Sequence, residues 1–532
     1  MTDERDSRST DPRPGTNLKG GAAGGAWTYL LDDLELDGVL CIGRPEAATL
    51  ATLERIAATV TITDADGLGA LAGTFDLAFV TASGRKAFSK PGVVQSVARS
   101  LSQRGMLFVE ERSSSGLAPR LAEAGLGRAE AFWLTPAAGE PRSAVPVGDE
   151  PIRSYVETRR LTAPSLPRVL RAVERRFPIA ASRHRVGLLA GRAETNAPPG
   201  SRVPAYIRQM AAAEGVDLSR HRLGLSARGR YSSRKVVLYL FAPGARRPEL
   251  IVKATRDATH NARLVNEERA LRRVAALGLV EPGTAPAIRF SGEHGGLRFV
   301  AESMLEGRML SSRRHIEGPD IVYEWLAGLA AKSARRGVAA AADIVSTVQE
   351  VQSTLGRVYS LESQERDRLD RASNALVERA DHLPSVFAHG DAGAWNAMRL
   401  ADGRVAFLDW EAADFAGLPL WDLFYFARSH VITSARLRGV ARRPVGLLRA
   451  LQTDRRLREA VASYCRRLDV PLELVGPLFS LCWAHRALRE VTRLDEGRLD
   501  EGHYLALLRL SLDPAIASSW NDPQRTDVAS AL

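Results

Sequence analysis

Cysteine is scarce. The 532 residues include three, Cys41, Cys465 and Cys482. They lie far apart with no metal-ligand spacing, so neither a disulfide framework nor a cysteine-based metal site is expected. A reducing cytoplasm fits that pattern. No apolar run reaches the roughly 18 residues that a membrane span needs. Aromatic residues make up 6% of the chain and do not interleave with basic ones. The net charge of +11 is driven by arginine without a long basic run. It fits an acidic partner and an arginine-rich proteome equally well, and nucleic-acid binding is not expected. Residues 1–25 are polar and Gly-rich without an apolar core, which argues against a signal peptide and for a disordered tail. What is abundant is ordinary: 45% hydrophobic and 25% charged residues. That is the make-up of a globular protein of about two to four domains.

The most informative stretch is 386–422. Two apolar runs, 397–400 and 405–408, flank Asp402-Gly403, a strong hairpin signal because a type I′ turn needs positive φ at both central residues. With Asp402 and Gly403 as a two-residue loop, Asn396 faces Asp409, and cross-strand partners point to one side. A carbonyl oxygen beside a carboxylate suits Mg²⁺, which prefers oxygen ligands and shares them with phosphate. Asp391, on the loop entering the hairpin, is then free to take a proton from a hydroxyl. This is the phosphoryl-transfer layout of protein kinases.

His389-Gly390-Asp391-x₄-Asn396, then Leu408-Asp409-Trp410-Glu411 and Asp422-Leu423, resembles the aminoglycoside phosphotransferase and choline kinase group, small-molecule relatives of protein kinases. The resemblance implies Asp391 as catalytic base, Asn396 and Asp409 as magnesium ligands, and His389 and Asp422 as braces of the catalytic loop. Upstream, 223–227, 235–241 and 249–254 read as antiparallel strands. Lys253 on the third fits the phosphate-reaching lysine, and Glu267, on a helix over 261–277, is its expected partner rather than Glu268. The loop 228–234, with Ser232 and Ser233, would cover the phosphates, although it holds a single glycine. Residues 303–308 after the strand 297–302 resemble the hinge between lobes, so Glu302 and Met304 are expected at the adenine edge. Cys482, Trp483 and His485 read as core positions.

Residues 27–195 alternate strand and helix, which implies a mainly parallel sheet with helices on both faces. Strands are expected at 38–43, 59–63, 75–81, 106–110, 131–134 and 186–190, and helices at 46–58 and 93–103. The order resembles class I S-adenosylmethionine-dependent methyltransferases, with Asp64 or Asp66 as the ribose-binding acid. The family's Gly-x-Gly-x-Gly loop falls on Gly43-Arg44-Pro45-Glu46-Ala47, where only the first glycine survives. Glycines there let backbone approach the cofactor, so the expectation is a degenerate domain that does not bind S-adenosylmethionine.

The expected fold is thus an α/β Rossmann-like, methyltransferase-type domain followed by an α+β bilobal, protein-kinase-like domain. The expected limits are a tail at 1–26, the first domain at 27–195, a linker at 196–204, an N-lobe at 205–302, a C-lobe at 303–517 and a loose tail at 518–532. The expected function is transfer of the γ-phosphoryl group of ATP, with Mg²⁺, to a hydroxyl of an aminosugar, sugar or amino alcohol. A non-catalytic docking protein and a bifunctional methyltransferase–kinase are the alternatives. Between 386 and 430 there are six acids and three arginines, which suits a cationic acceptor, but most of those acids already have metal or loop roles.

Overall fold

The computed structural model describes residues 25–64, 66–71, 73–88, 90, 92–111, 117–135, 142–161, 185–192, 203–227, 235–311, 318–440, 443–490 and 502–521. The chain forms two compact units, one of Met1–Gly148 with Pro164–Thr195 and one of Asp149–Ala163 with Asn196–Leu532. The segment 149–163, which the sequence reading leaves in the first domain, thus groups with the second. The proposed tails lie largely outside the described residues, as do most of the linker and the loop 228–234 with Ser232 and Ser233. Among the described residues no helix is long and apolar enough to cross a membrane.

The first unit is built on strands β1 (Leu36–Ile42), β2 (Ala57–Thr63), β3 (Phe75–Val80), β4 (Leu101–Glu111), β5 (Arg128–Thr135), β6 (Ser143–Pro146) and β7 (Arg185–Gly191). Their order is β6-β5-β7-β4-β3-β1-β2. Strands β2, β1, β3 and β4 run parallel. β7 is antiparallel to both β4 and β5, and β6 is antiparallel to β5. The sheet is therefore mixed: β1 to β5 point one way, and β6 and β7 run against them. Helix α1 (Ala47–Ile56) gives way directly to β2, and helix α2 (Val93–Ser100) to β4. Both end earlier than periodicity suggests. Leu101 already pairs with Phe75, and an irregularity follows before Leu77 meets Met106. Gly105 lies in that bulge, where a Cβ would sit 2.8 Å from the Phe75 carbonyl oxygen. Helix α2 buries Val93, Val94, Val97 and Ala98 on Leu40, Ala78 and Leu107. Trp27, Phe79 and Phe108 stack with centroids 4.5–5.6 Å apart.

The second unit opens with helix α3 (Glu150–Leu161). Its Ile152 fits over Gly224, where a Cβ would come within 2.6 Å. Asp149 pairs with Arg222 at 2.6 Å. Helix α4 (Ala205–Ala213) follows. Strands β8 (Arg222–Ser226), β9 (Lys235–Phe241), β10 (Leu250–Thr255), β11 (Ile288–His294) and β12 (Leu297–Ser303) make an antiparallel run β11-β12-β10-β9-β8. Helix α5 (Asn261–Ala276) lies between β10 and β11 in the chain and buries Leu264, Glu267, Ala270, Leu271 and Val274. Five short strands matter next: β13 (Gly307–Met309) with β15 (Ala397–Leu400) and β16 (Val405–Phe407), and β14 (Val386–Ala388) with β17 (Asp414–Gly417). Around them pack helices that include α6 (Trp421–Leu437) and α7 (Val475–Glu490), over a core with Trp410, Trp483 and Trp520 fully buried. Two further helices follow, Pro444–Thr453 and Arg455–Leu468. Asp454 between them accepts from the amides of Arg456 and Leu457, an N-cap that restarts the helix.

Candidate active site

The hairpin departs from its expected register. Arg399 pairs with Val405, Met398 with Ala406 and Ala397 with Phe407. Leu400 N–H bonds the Arg404 carbonyl at 2.9 Å and Gly403 N–H bonds the Leu400 carbonyl at 3.1 Å. The loop therefore has three residues, Ala401-Asp402-Gly403, with Gly403 at φ +88°. A turn closed by a left-handed glycine is the usual three-residue hairpin. One residue of slip places Leu408, not Asp409, opposite Asn396, and Leu408 N–H bonds the Asn396 carbonyl at 2.9 Å. Asp409 follows at φ +67°. A non-glycine residue held in the left-handed region is a mark of functional sites. Here it turns the carboxylate off the strand and toward the lysines of the five-stranded sheet.

Those lysines form a buried charge cluster. Lys253 Nζ donates to Glu267 Oε1 at 2.5 Å, lies 2.9 Å from Glu302 and 4.0 Å from Asp409. Glu267 is fully buried and also accepts from the Trp410 amide at 3.0 Å, tying helix α5 to the segment after the hairpin. Glu268 turns away to Arg272, Ser291 and Arg298. A second lysine enters: Lys235 Nζ lies 2.6 Å from Asp409, 2.8 Å from Glu411 and 3.5 Å from Glu267. Burial works against both ammonium groups, but the surrounding carboxylates outweigh it and hold them above the usual lysine range. Burial likewise opposes an ionised Asp409, but Lys235 and Lys253 hold it well below the usual carboxylate range. Glu302 goes the other way, pushed by burial up to about 7 against the pull of Lys253. Its side chain belongs to this cluster. The Met304 amide bonds the Glu249 carbonyl at 3.0 Å and so is committed within the fold.

The loop after β14 is held from several sides. Asp422 accepts from the amides of His389 at 2.6 Å and Gly390 at 3.1 Å. His389 is fully buried, and burial lowers its pKa, so the ring is neutral. Its Nδ1 accepts from the Asp391 amide at 3.2 Å, which leaves Nε2 to donate to the Leu408 carbonyl at 3.1 Å. Gly390 sits at φ +76°, and a Cβ there would lie 1.8 Å from the Ala412 carbonyl oxygen. The Asn396 amide donates to the Asp391 carbonyl at 3.0 Å and to its Oδ2 at 2.9 Å. Arg486, on α7, donates to the Gly390 carbonyl at 2.7 Å, approaches Asp391 Oδ1 at 4.0 Å and lies 3.5 Å over the Tyr425 ring.

Lys235, Glu411, Arg486 and Tyr425 were not singled out from sequence. Lys235 had a signal: Val237 pairs with Lys253, so a residue two before Val237 shares the face of Lys253. Arg486 had none, because its helix is far away in the chain. Cys482 and Trp483 are fully buried, and the half-buried His485 stacks on Trp421 with ring centroids 4.8 Å apart.

The chain carries a phosphotransferase domain. Residues 229–460 match the phosphotransferase enzyme family, whose members are kinases acting on hydroxyl acceptors. No curated protein matches the sequence. Solved structures that align with this chain include the choline kinase LicA of Streptococcus pneumoniae, at 13% identity, 52% of this chain, 89% of that one and a TM-score of 0.34. An aminoglycoside phosphotransferase of Streptomyces rimosus aligns at 15% identity, covering 58% of this chain and 97% of that one, with a TM-score of 0.32. An ethanolamine kinase of Plasmodium vivax aligns at 8% identity, covering 57% and 84%, with a TM-score of 0.36.

Proposed function

We propose that the second unit is an ATP- and magnesium-dependent kinase that transfers the γ-phosphoryl group to a hydroxyl of a small acceptor, an aminosugar, sugar or amino alcohol. The observation that carries this is the buried Lys253–Glu267 pair at 2.5 Å, with Asp409 4.0 Å from the same ammonium. In this reading Lys253 neutralises the phosphates and Glu267 orients it. Asp391, its Oδ2 already fixed by Asn396, accepts the acceptor's proton, and positioning and charge compensation carry the rate. The donor set fits a hard cation: Asn396, Asp409 and Glu411 offer oxygen, and Asp409 is held ionised. Among the described residues no group of three or more His, Cys, Asp or Glu side chains is arranged to hold a metal ion. Two protein ligands with phosphate oxygens and water are the arrangement magnesium commonly takes. Magnesium, when bound, would neutralise charge on the β- and γ-phosphates. The test is thermal unfolding with Mg-ATP. Ligand at about 100 times its dissociation constant adds roughly 2.7 kcal/mol, and the shift should vanish in Asp409→Ala. No shift in the wild type would move the reading to a docking protein.

The first unit is read as a methyltransferase-like domain that does not take S-adenosylmethionine. Support comes from the end of β1. A Cβ on Gly43 would meet Thr81 Oγ1 at 2.4 Å and the Gly84 amide at 2.5 Å. The turn at Thr81–Gly84 packs directly on Gly43, the one glycine that remains of the family's loop pattern. Calorimetry of the whole chain with S-adenosylmethionine should give no binding heat.

A further inference from the structure

Lys235 has no role in the reading above, and its surroundings call for one. It is the first residue of β9, directly after the loop 228–234, and it shares a sheet face with Lys253. Its side chain is 10% exposed and ends between two carboxylates, Asp409 at 2.6 Å and Glu411 at 2.8 Å. An ammonium removed from water needs such partners. Asp409 is also the carboxylate expected to take the metal. Lys235 and a divalent cation therefore compete for the same oxygen atoms. Four carboxyl groups, Glu267, Glu302, Asp409 and Glu411, stand around the two ammonium groups. Once a cation engages Asp409, Lys235 loses its closest partner and keeps Glu411 at 2.8 Å and Glu267 at 3.5 Å. Phosphate oxygens beside Lys253 would take the place of Asp409.

We infer that Lys235 is a second phosphate-binding lysine, which pairs with Asp409, the expected metal ligand, and with Glu411, and exchanges Asp409 for phosphate oxygens when metal and nucleotide bind together. The inference rests on the kinase reading. The exchange makes metal binding depend on nucleotide: a cation alone would have to break the 2.6 Å contact of Lys235 with Asp409 with no new anion supplied in its place.

The test uses the full chain and Lys235→Met, with two equilibrium readouts. One is Mg-ADP affinity by calorimetry. The other is binding of Mn²⁺ alone, followed by electron paramagnetic resonance. Removing a charge-assisted contact should weaken Mg-ADP binding by about tenfold or more. The same change should let Mn²⁺ bind without nucleotide, tighter than it binds wild type. A lysine that only braced the fold would lower stability and would not create a metal site. Unchanged Mg-ADP affinity, or Mn²⁺ binding no tighter than wild type, overturns the proposal. If Lys235→Met does not fold, Lys235→Gln, whose amide can still donate to Asp409, is read by the same two criteria. Failure of the kinase reading is distinguishable, because then wild type itself binds no Mg-ADP.

Discussion

Two strand ends, one in each unit, look alike in backbone and differ in charge. At the end of β1, Gly43 stands at φ +88° with Thr81 and Gly84 against it. After β14, Gly390 stands at φ +76° with the Ala412 carbonyl against it. Each is a glycine that lets two main-chain segments nearly touch. Around Gly43 the close neighbours are neutral, and Ser83 accepts from the Arg44 amide at 2.9 Å. The acids further on are occupied locally: Asp64 accepts from the amides of Asp66 and Gly67 in its own turn, and Asp66 pairs with Lys90 at the surface. Around Gly390 the carboxylates Asp391 and Asp422 and the guanidinium of Arg486 converge, with the Lys253 cluster carried by the same unit. A glycine at a strand end therefore reports close approach, and the buried charges report what the approach serves.

The largest expected effect is Asp391→Asn. General-base catalysis is worth about 10²–10⁴ in rate, so turnover with any accepted hydroxyl should fall by that order. Mg-ATP protection against unfolding should stay, since Asp391 is not placed on the phosphates. Single-turnover assays with labelled ATP measure the first, thermal shifts the second. Equal turnover in the two proteins would remove Asp391 from the chemistry and leave the Gly390 end no more functional than the Gly43 end.

Paired alanine substitutions come next. A Cβ at Gly390 would meet Ala412 O at 1.8 Å, and one at Gly84 would meet Ile42 O at 2.2 Å. Both should destabilise, by about 2–4 kcal/mol in denaturant melts. Only Gly390→Ala should also lower phosphoryl transfer beyond what its folded fraction explains. A comparable loss from Gly84→Ala would break the contrast.

Much of the second unit was readable because its chemistry sits in short local patterns. The segment from His389 to Asn396 and the acid after β16 needed no knowledge of tertiary contacts. The register did: a two-residue loop was read from Asp402-Gly403, and the three-residue loop shifted Asn396 from Asp409 to Leu408. Side-chain period 2 makes such a slip decisive for which groups face each other. Here Asp409 recovers its place through a left-handed φ that no pattern encodes. Glu302 was read for its backbone, yet desolvation and Lys253 give its carboxyl a role. In the first unit strand positions were legible from apolar runs, while the antiparallel pairing of β7 was not, since direction leaves no trace in composition.

Acid sensitivity should divide the units as well. The sequence places nine of its ten histidines after residue 195. His485 is half-buried and stacked on Trp421, and desolvation with Arg486 and Arg489 lowers its pKa well below the usual histidine range. A base whose folded pKa is depressed contributes stability that is present above its unfolded value, about 6.5, and is lost as pH falls below it. Wild type should therefore lose up to about 1.4 kcal/mol more per pH unit below that point than His485→Phe. Melts between pH 7.5 and 5 read the slope directly. Parallel slopes would mean His485 does not stay neutral in the fold.

Asp66→Asn is the smallest change and the sharpest check on the quiet end. Asp66 meets Lys90 at 3.4 Å with side chains 86% and 60% exposed. Exposed pairs of this kind contribute about 0–1 kcal/mol and weaken in salt, so the melt should move by no more than about 0.5 kcal/mol and the kinase readouts not at all. The Lys253–Glu267 pair is the opposite case, desolvated on both sides. Breaking it should be costly because it strands a buried charge. If S-adenosylmethionine protected wild type and Asp66→Asn abolished that protection, the surface acid would be a ribose ligand after all. The Gly43 end would then have to open its turn at Thr81–Gly84 to admit the cofactor, and the two strand ends would both be binding sites.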